Sequence, residues 1–114
     1  MIDRIFSCLS SRRLSLSNEK KTQEEIAEAF DECGILYKRE FRFSESDIID
    51  FMCGDIGIEC KIKGSRRKIY DQVCRYAEHD AVKELILITN VPTGFPKEIK
   101  GKPVYVLNLA KAWL

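Results

Sequence analysis

Asp50, the Glu59-Cys60-Lys61 triplet and the Gln72/Tyr76 pair are the residues of this chain whose types and spacing could do chemistry together. Two carboxylates and one ammonium brought to a common surface suit a divalent ion beside a phosphodiester, where the ion activates water for attack at phosphorus. Hard oxygen ligands favour magnesium or manganese, which keep several waters and are held by one or two carboxylates plus phosphate oxygens. Asp50 and Glu59 would be those ligands, and the Cys60 carbonyl could complete the shell. Lys61 could orient the attacking water, help deprotonate it, or offset charge on the pentavalent phosphate. These three roles leave the same trace in a sequence.

The elements needed to position them are readable. Ser46 to Cys53 and Ile56 to Ile62 have the pattern of short strands broken by Gly54-Asp55, a strong hairpin dipeptide. Side chains alternate along a strand, so Glu59 and Lys61 share one face, roughly 7 Å apart, and Ile58, Cys60 and Ile62 share the other. The tight turn returns Asp50 towards Glu59. After the Gly64 break, Ser65 caps a helix expected over Arg66 to Asp80. Gln72 and Tyr76 stand at i and i+4 on it, about 6 Å apart along the axis, beside the apolar stripe Ile69, Val73 and Ala77. Taken singly, each motif has an ordinary structural explanation: an acid and a lysine two apart are a surface ion pair of little worth, and Gln72/Tyr76 is a core tyrosine with a half-exposed neighbour. The apolar setting of the strand, Ile56, Ile58, Cys60 and Ile62, is what calls for a reason for its charges.

In this order and on these elements, Asp50, Glu59-x-Lys61 and Gln72-xxx-Tyr76 resemble the PD-(D/E)xK nuclease superfamily, in particular its RecB-like branch with the Gln-xxx-Tyr helix. The surrounding sequence also resembles small, phage-type nuclease-fold proteins, from roughly Glu19 to the C-terminus. The resemblance implies an α/β, restriction-endonuclease-like core of helix, three strands, helix and strand, with a mixed central sheet flanked by helices. It places the metal where the second and third strands diverge. Ile49 stands in place of the proline of the family's name, which leaves the ligands untouched. The family pattern adds an acid on the first helix. Thr22 to Cys33 is amphipathic, with Ile26, Ala29, Phe30 and Cys33 inward and Gly34 as its stop. Glu24, Glu25 and Glu28 are all available there, and the resemblance favours Glu24. A solvated acidic face near a helix N-terminus accounts for each of them equally well.

A length of 114 residues allows one catalytic domain, and 45% hydrophobic with 32% charged residues fits an ordinary globule. A net charge of +1 does not announce a nucleic-acid binder, so clustering matters. Lys63, Arg66, Arg67 and Lys68 crowd beside Lys61, and Arg75 follows near Gln72, as candidates for the DNA backbone together with Gln72 and Tyr76. Five cysteines with no paired metal spacing imply a reducing cytosol, that of a bacterial host if the phage resemblance holds. The lone histidine, His79, sits near a helix end and is not expected to be a catalyst.

Ile35 to Phe43, Glu84 to Thr89 and Pro103 to Leu109 are the other expected strands, with Val91 to Gly101 as a loop and Ala110 to Leu114 as a short helical turn. Residues 1–17 are expected as a flexible, weakly basic arm before a nuclease-like domain over 18–114. No run is long and apolar enough for a membrane helix. The expectation is a DNA phosphodiesterase that reads structure or ends rather than sequence, working as a homodimer or larger homo-oligomer, since one site per chain cuts one strand. The alternative is a non-catalytic nuclease-fold module that binds DNA or assembles with partners.

Overall fold

The computed structural model describes residues 1–113 and arranges them as α1 (Ile2–Leu9), α2 (Glu19–Cys33), β1 (Lys38–Arg42), β2 (Ile48–Cys53), β3 (Ile56–Lys61), α3 (Arg66–Ala77), β4 (Glu84–Thr89), β5 (Glu98–Ile99) and β6 (Lys102–Asn108), closed by a 3-10 turn at Leu109–Trp113. The result is an α/β fold around one mixed sheet in the order β1-β2-β3-β4-β6-β5. β1, β2 and β3 run antiparallel to one another in turn, β4 and β6 continue parallel to β3, and β5 returns antiparallel on the far edge.

Gly54 at φ 62° makes the tight turn between β2 and β3, a conformation that costs glycine nothing. Ser65 accepts a hydrogen bond from the Lys68 amide and starts α3, as its position in the sequence indicates. α3 stops at Ala77, three residues short of the expected end.

The two faces of the sheet carry separate apolar layers. Ile56, Ile58 and Cys60 of β3 face α1 and α2, against Ile5, Leu9, Ile26 and Phe30. Leu85, Leu87, Ile49 and Met52 face α3, against Ile69, Val73 and Tyr76. Gly57 belongs to the second face, where an added Cβ would come within 2.7 Å of Ile49 Cδ1 and 3.0 Å of Leu85 Cδ2. A larger residue there would make those terminal methyls move aside.

The regular alternation of β2 slips at Asp50, because Ile49 and Met52 both lie on the α3 face. Opposite it, Glu40 has φ 48°, and the β1–β2 register runs from Arg39↔Phe51 to Phe41↔Ile49 without a pair between. The pleat is broken beside the proposed site, in the manner of a bulge that re-aims a side chain.

Residues 1–17 are not a flexible arm. Ile2, Ile5, Phe6 and Leu9 follow helical spacing, i, i+3, i+4 and i+7, and this short amphipathic stripe docks onto the α2 layer. Ile5 and Leu9 are fully buried and Leu14 continues the same core. Cys8 and Cys33 are joined as a disulfide that ties α1 to the end of α2, so the expectation of unpaired thiols holds only for Cys53, Cys60 and Cys74. Partners 25 residues apart in the chain meet because two helices pack, which spacing alone does not disclose. Among the described residues no helix is long and apolar enough to cross a membrane.

If α1 is part of the core, Ile5→Ala should cost about 2–4 kcal/mol in urea-induced unfolding. A loss below about 0.5 kcal/mol would show the segment undocked.

Candidate active site

The ladder between β2 and β3 ends at Phe51↔Ile58. One position further, side chains take over from backbone. Asp50 Oδ2 accepts from the Cys60 amide at 2.8 Å, and Glu59 Oε1 accepts from the Asp50 amide at 3.1 Å. The two carboxylates therefore cross the gap and hydrogen-bond to each other's strand. Lys61 reaches back along its own strand and places Nζ 3.4 Å from Glu59 Oε2. Asp50, Glu59 and Lys61 are thus gathered on one surface, as their spacing predicts.

The N–H and C=O of one strand residue point to the same side. Since the Cys60 amide meets Asp50 in the gap, its carbonyl opens towards the gap as well.

Glu59 is 3% exposed. Burial, then the neighbouring Asp50 charge, raises its carboxyl from 4.5 to about 8, while Lys61 pulls the other way. Asp50 is raised too, first by burial, and Lys61 and the Cys60 amide oppose the rise.

Tyr76 and Gln72 brace this cluster from α3. Gln72 Nε2 donates to the Tyr76 hydroxyl at 2.9 Å. The single hydroxyl proton of Tyr76 is shared between the Ile48 carbonyl at 2.8 Å and Glu59 Oε2 at 3.3 Å. At 1% exposure Tyr76 cannot meet DNA. It is a positioning residue for Glu59, not a substrate contact, and burial with the nearby Glu59 charge holds its phenol protonated.

Glu24 is exposed on α2, with no hydrogen bond or ion pair to the cluster. The helix acid nearest the site is Glu19, at the first position of α2. Its Oε1 accepts from the Ile62 amide at 2.9 Å, and its charge acts on both Asp50 and Cys60. The signal for it was Asn18, an N-cap that accepts from the Lys21 amide and starts α2 three residues before Thr22. Glu25 is used elsewhere, accepting from the Ser15 amide, and Glu28 faces solvent.

The basic residues divide. Lys63 joins Glu19, Lys61 and Asn18 around a cleft of about 410 Å³ at the mouth of the site. Lys68 is exposed. Arg66 and Arg67 line a separate groove on the α3 side. Arg75 is committed to Asp47, with Nε 3.2 Å from Oδ1, and is not a free phosphate contact. His79 Nε2 lies 3.0 Å from the other oxygen of Asp47 and its ring stacks on Phe43 at 4.5 Å. Those partners hold the Asp47 carboxyl below its usual range, the His79 hydrogen bond foremost.

Among the described residues no three or more His, Cys, Asp and Glu side chains converge as a ready-made metal cage. No family model matches the chain, and neither does any curated protein or solved structure.

The raised Glu59 carboxyl fixes the sign of a pH effect. Between 4.5 and about 8 the native state keeps a proton that the unfolded chain has lost, so stability falls as pH rises through that window. In chelator, the melting temperature should drop by several degrees from about pH 5 to about pH 8, and Glu59→Gln should remove most of that slope. An unchanged slope in the variant would place the proton elsewhere.

Proposed function

We propose that this chain is a metal-dependent nuclease that hydrolyses DNA phosphodiester bonds, reading ends or structure rather than base sequence. The observation that carries the reading is the crowding of Asp50 and Glu59 into one gap, each accepting from an amide of the other's strand, with Lys61 beside them. Two like charges held together away from water are costly and call for a compensating cation.

The donor set fits magnesium or manganese (Mg2+ or Mn2+). It is made of hard oxygens, and two carboxylates are enough for an ion that keeps waters and phosphate oxygens in its shell. Asp50 and Glu59 would hold it, with the Cys60 carbonyl as a third oxygen. Asp50 and Glu19 each spend one oxygen on a backbone amide and leave the other for a ligand or its waters. The ion would supply Lewis acidity towards the phosphate and lower the pKa of water.

The chain's own groups do the rest. Lys61 presents an ammonium where negative charge grows on the phosphate. Gln72 and Tyr76 fix Glu59, so that its carboxylate loses little freedom when it takes a ligand. Lys63, at the cleft mouth, meets the incoming backbone. The order helix, three strands, helix, strand over α2 to β4 is the one that the PD-(D/E)xK resemblance implies, and it supports the same reading. Cutting both strands of a duplex would take two copies of the chain or two visits, which makes a homodimer the expected working unit.

One observation favours a second reading, a non-catalytic DNA-binding module. Both carboxylates already hydrogen-bond opposing amides, which closes the gap without an ion. Linear, nicked, flapped and four-way DNA incubated with magnesium, manganese or chelator separates the two. The nuclease reading expects metal-dependent cutting that falls about 100-fold or more in Asp50→Ala, Glu59→Ala and Lys61→Ala. Glu19→Ala should lose about 10- to 100-fold, and Glu24→Ala should match the wild type. Cutting that survives chelator or Lys61→Ala would refute the site, and binding without cutting would favour the module.

A further inference from the structure

A second concavity lies on the α3 side of the sheet, between the first turns of α3 and the loop that leaves β4. Arg66, Arg67, Tyr70, Phe95 and Pro96 line about 460 Å³ there. Tyr70 and Phe95 meet edge to face with centroids 5.2 Å apart, and both rings stay half-exposed. Arg66 Nε donates to the Thr93 carbonyl, which fixes the guanidinium and leaves its other N–H groups to a ligand. Arg67 faces Asp71 at 3.7 Å, an exposed pair that water screens and a phosphate can replace.

Aromatic faces set among guanidinium groups are what a single-stranded nucleic acid needs. Any base offers a π-face for stacking, and the cations neutralise the backbone. A base inside a duplex has no face to offer, so the groove selects an unpaired one. Its place in the fold ties it to the carboxylates. Lys61 and Thr89, the last residues of β3 and β4, are register partners. α3 follows the first strand and the Phe95 loop follows the second, so groove and site share the carboxyl ends of the parallel strands, where open α/β sheets take their ligands. Tyr70 precedes Tyr76 by six residues, about 9 Å along the axis of α3 and on a different face of it.

We propose that this groove stacks an unpaired base of DNA flanking the phosphate held at Asp50 and Glu59, which makes single-stranded overhangs and flaps the preferred substrates. The inference deepens the nuclease reading and rests on it for the identity of the strand, but the stacking itself is measurable without turnover.

The test uses the full chain with calcium in place of magnesium, and fluorescent duplexes that carry a blunt end or an overhang of either polarity. Overhangs should bind about 5- to 150-fold more tightly than blunt ends, the usual strength of one base stacked on an aromatic ring. The base analogue 2-aminopurine, placed in the unpaired stretch, should be quenched on binding. Phe95→Ala and Tyr70→Ala should lose both effects, whereas Tyr70→Phe, which keeps the ring, should retain them. Equal affinity for blunt and overhanging duplexes, or no quenching by the wild type, overturns the groove and leaves it to an apolar protein partner. Overhang preference and quenching that persist while no DNA form is cut with magnesium uphold the groove and overturn the nuclease reading instead.

Discussion

The structure turns on a substitution of partners at the end of the β2–β3 ladder. Backbone pairing stops at Phe51↔Ile58, and beyond it the Asp50 and Glu59 carboxylates serve as acceptors for amides on the opposite strand. Amides left open at a strand divergence would carry a penalty of about 1–3 kcal/mol each if buried. The carboxylates remove that penalty and incur another, since two anions now share a gap from which water is largely excluded. Protonation of Glu59, its ion pair with Lys61 or a bound cation can relieve the strain. One arrangement of backbone therefore explains both the raised Glu59 carboxyl and its ion pair with Lys61.

Other parts of the fold shape the surroundings of this gap. On one side, Glu40 at positive φ interrupts the pleat opposite Asp50 and frees that residue from regular alternation. On the α3 face, Gly57 lets Ile49 and Leu85 meet over β3. The Asp47 carboxylate joins the loop before β2 to α3 through Arg75 and to the turn after α3 through His79, so the helix carrying Gln72 and Tyr76 is pinned to the strand carrying Asp50. On the opposite face, the α1–α2 pair sets the height of Glu19. Thr22 donates to the Ser15 carbonyl and Glu25 accepts from the Ser15 amide, which hold the α2 N-terminus against the strap that leads from α1.

The sequence discloses those features that rest on local chemistry. The Gly54 turn, the Ser65 cap, the burial of β4 and the shared face of Glu59 and Lys61 depend on neighbours within a few residues, and periodicity captures them. Features decided by tertiary packing escape it. Reading the first helix from Thr22 offers Glu24, Glu25 and Glu28 as its acid, and only the Ile62 amide, one residue past β3, singles out Glu19 as the one within reach. Arg75 has the composition of a phosphate contact until Asp47 claims it. Tyr76 sits in a helix near a charged cluster in either reading, and only its depth shows that it touches Glu59 instead of substrate. The eight residues of α1 are too few for a confident periodic signal, and isolated helices that short are unstable. Docking against α2 is what makes them helical.

α3 is built in two halves with different electrostatics. Its C-terminal half is settled internally: Arg75 is paired with Asp47, and Tyr76 is buried. Its first turn is unsettled. Arg66, Arg67 and Lys68 follow the cap in succession and the turn holds no acid, although the amide dipoles there already present partial positive charge. A helix selected for stability alone would place Asp or Glu at those positions, each worth about 0.3–1 kcal/mol. The opposite choice, beside two half-exposed aromatic rings and at the same end of the sheet as the carboxylates, has a physical rationale when an external polyanion supplies the missing negative charge. The local disfavour of these three cations thus supports the proposed phosphate contact at the N-terminal end of α3, while its other end holds the gap between Asp50 and Glu59 in shape.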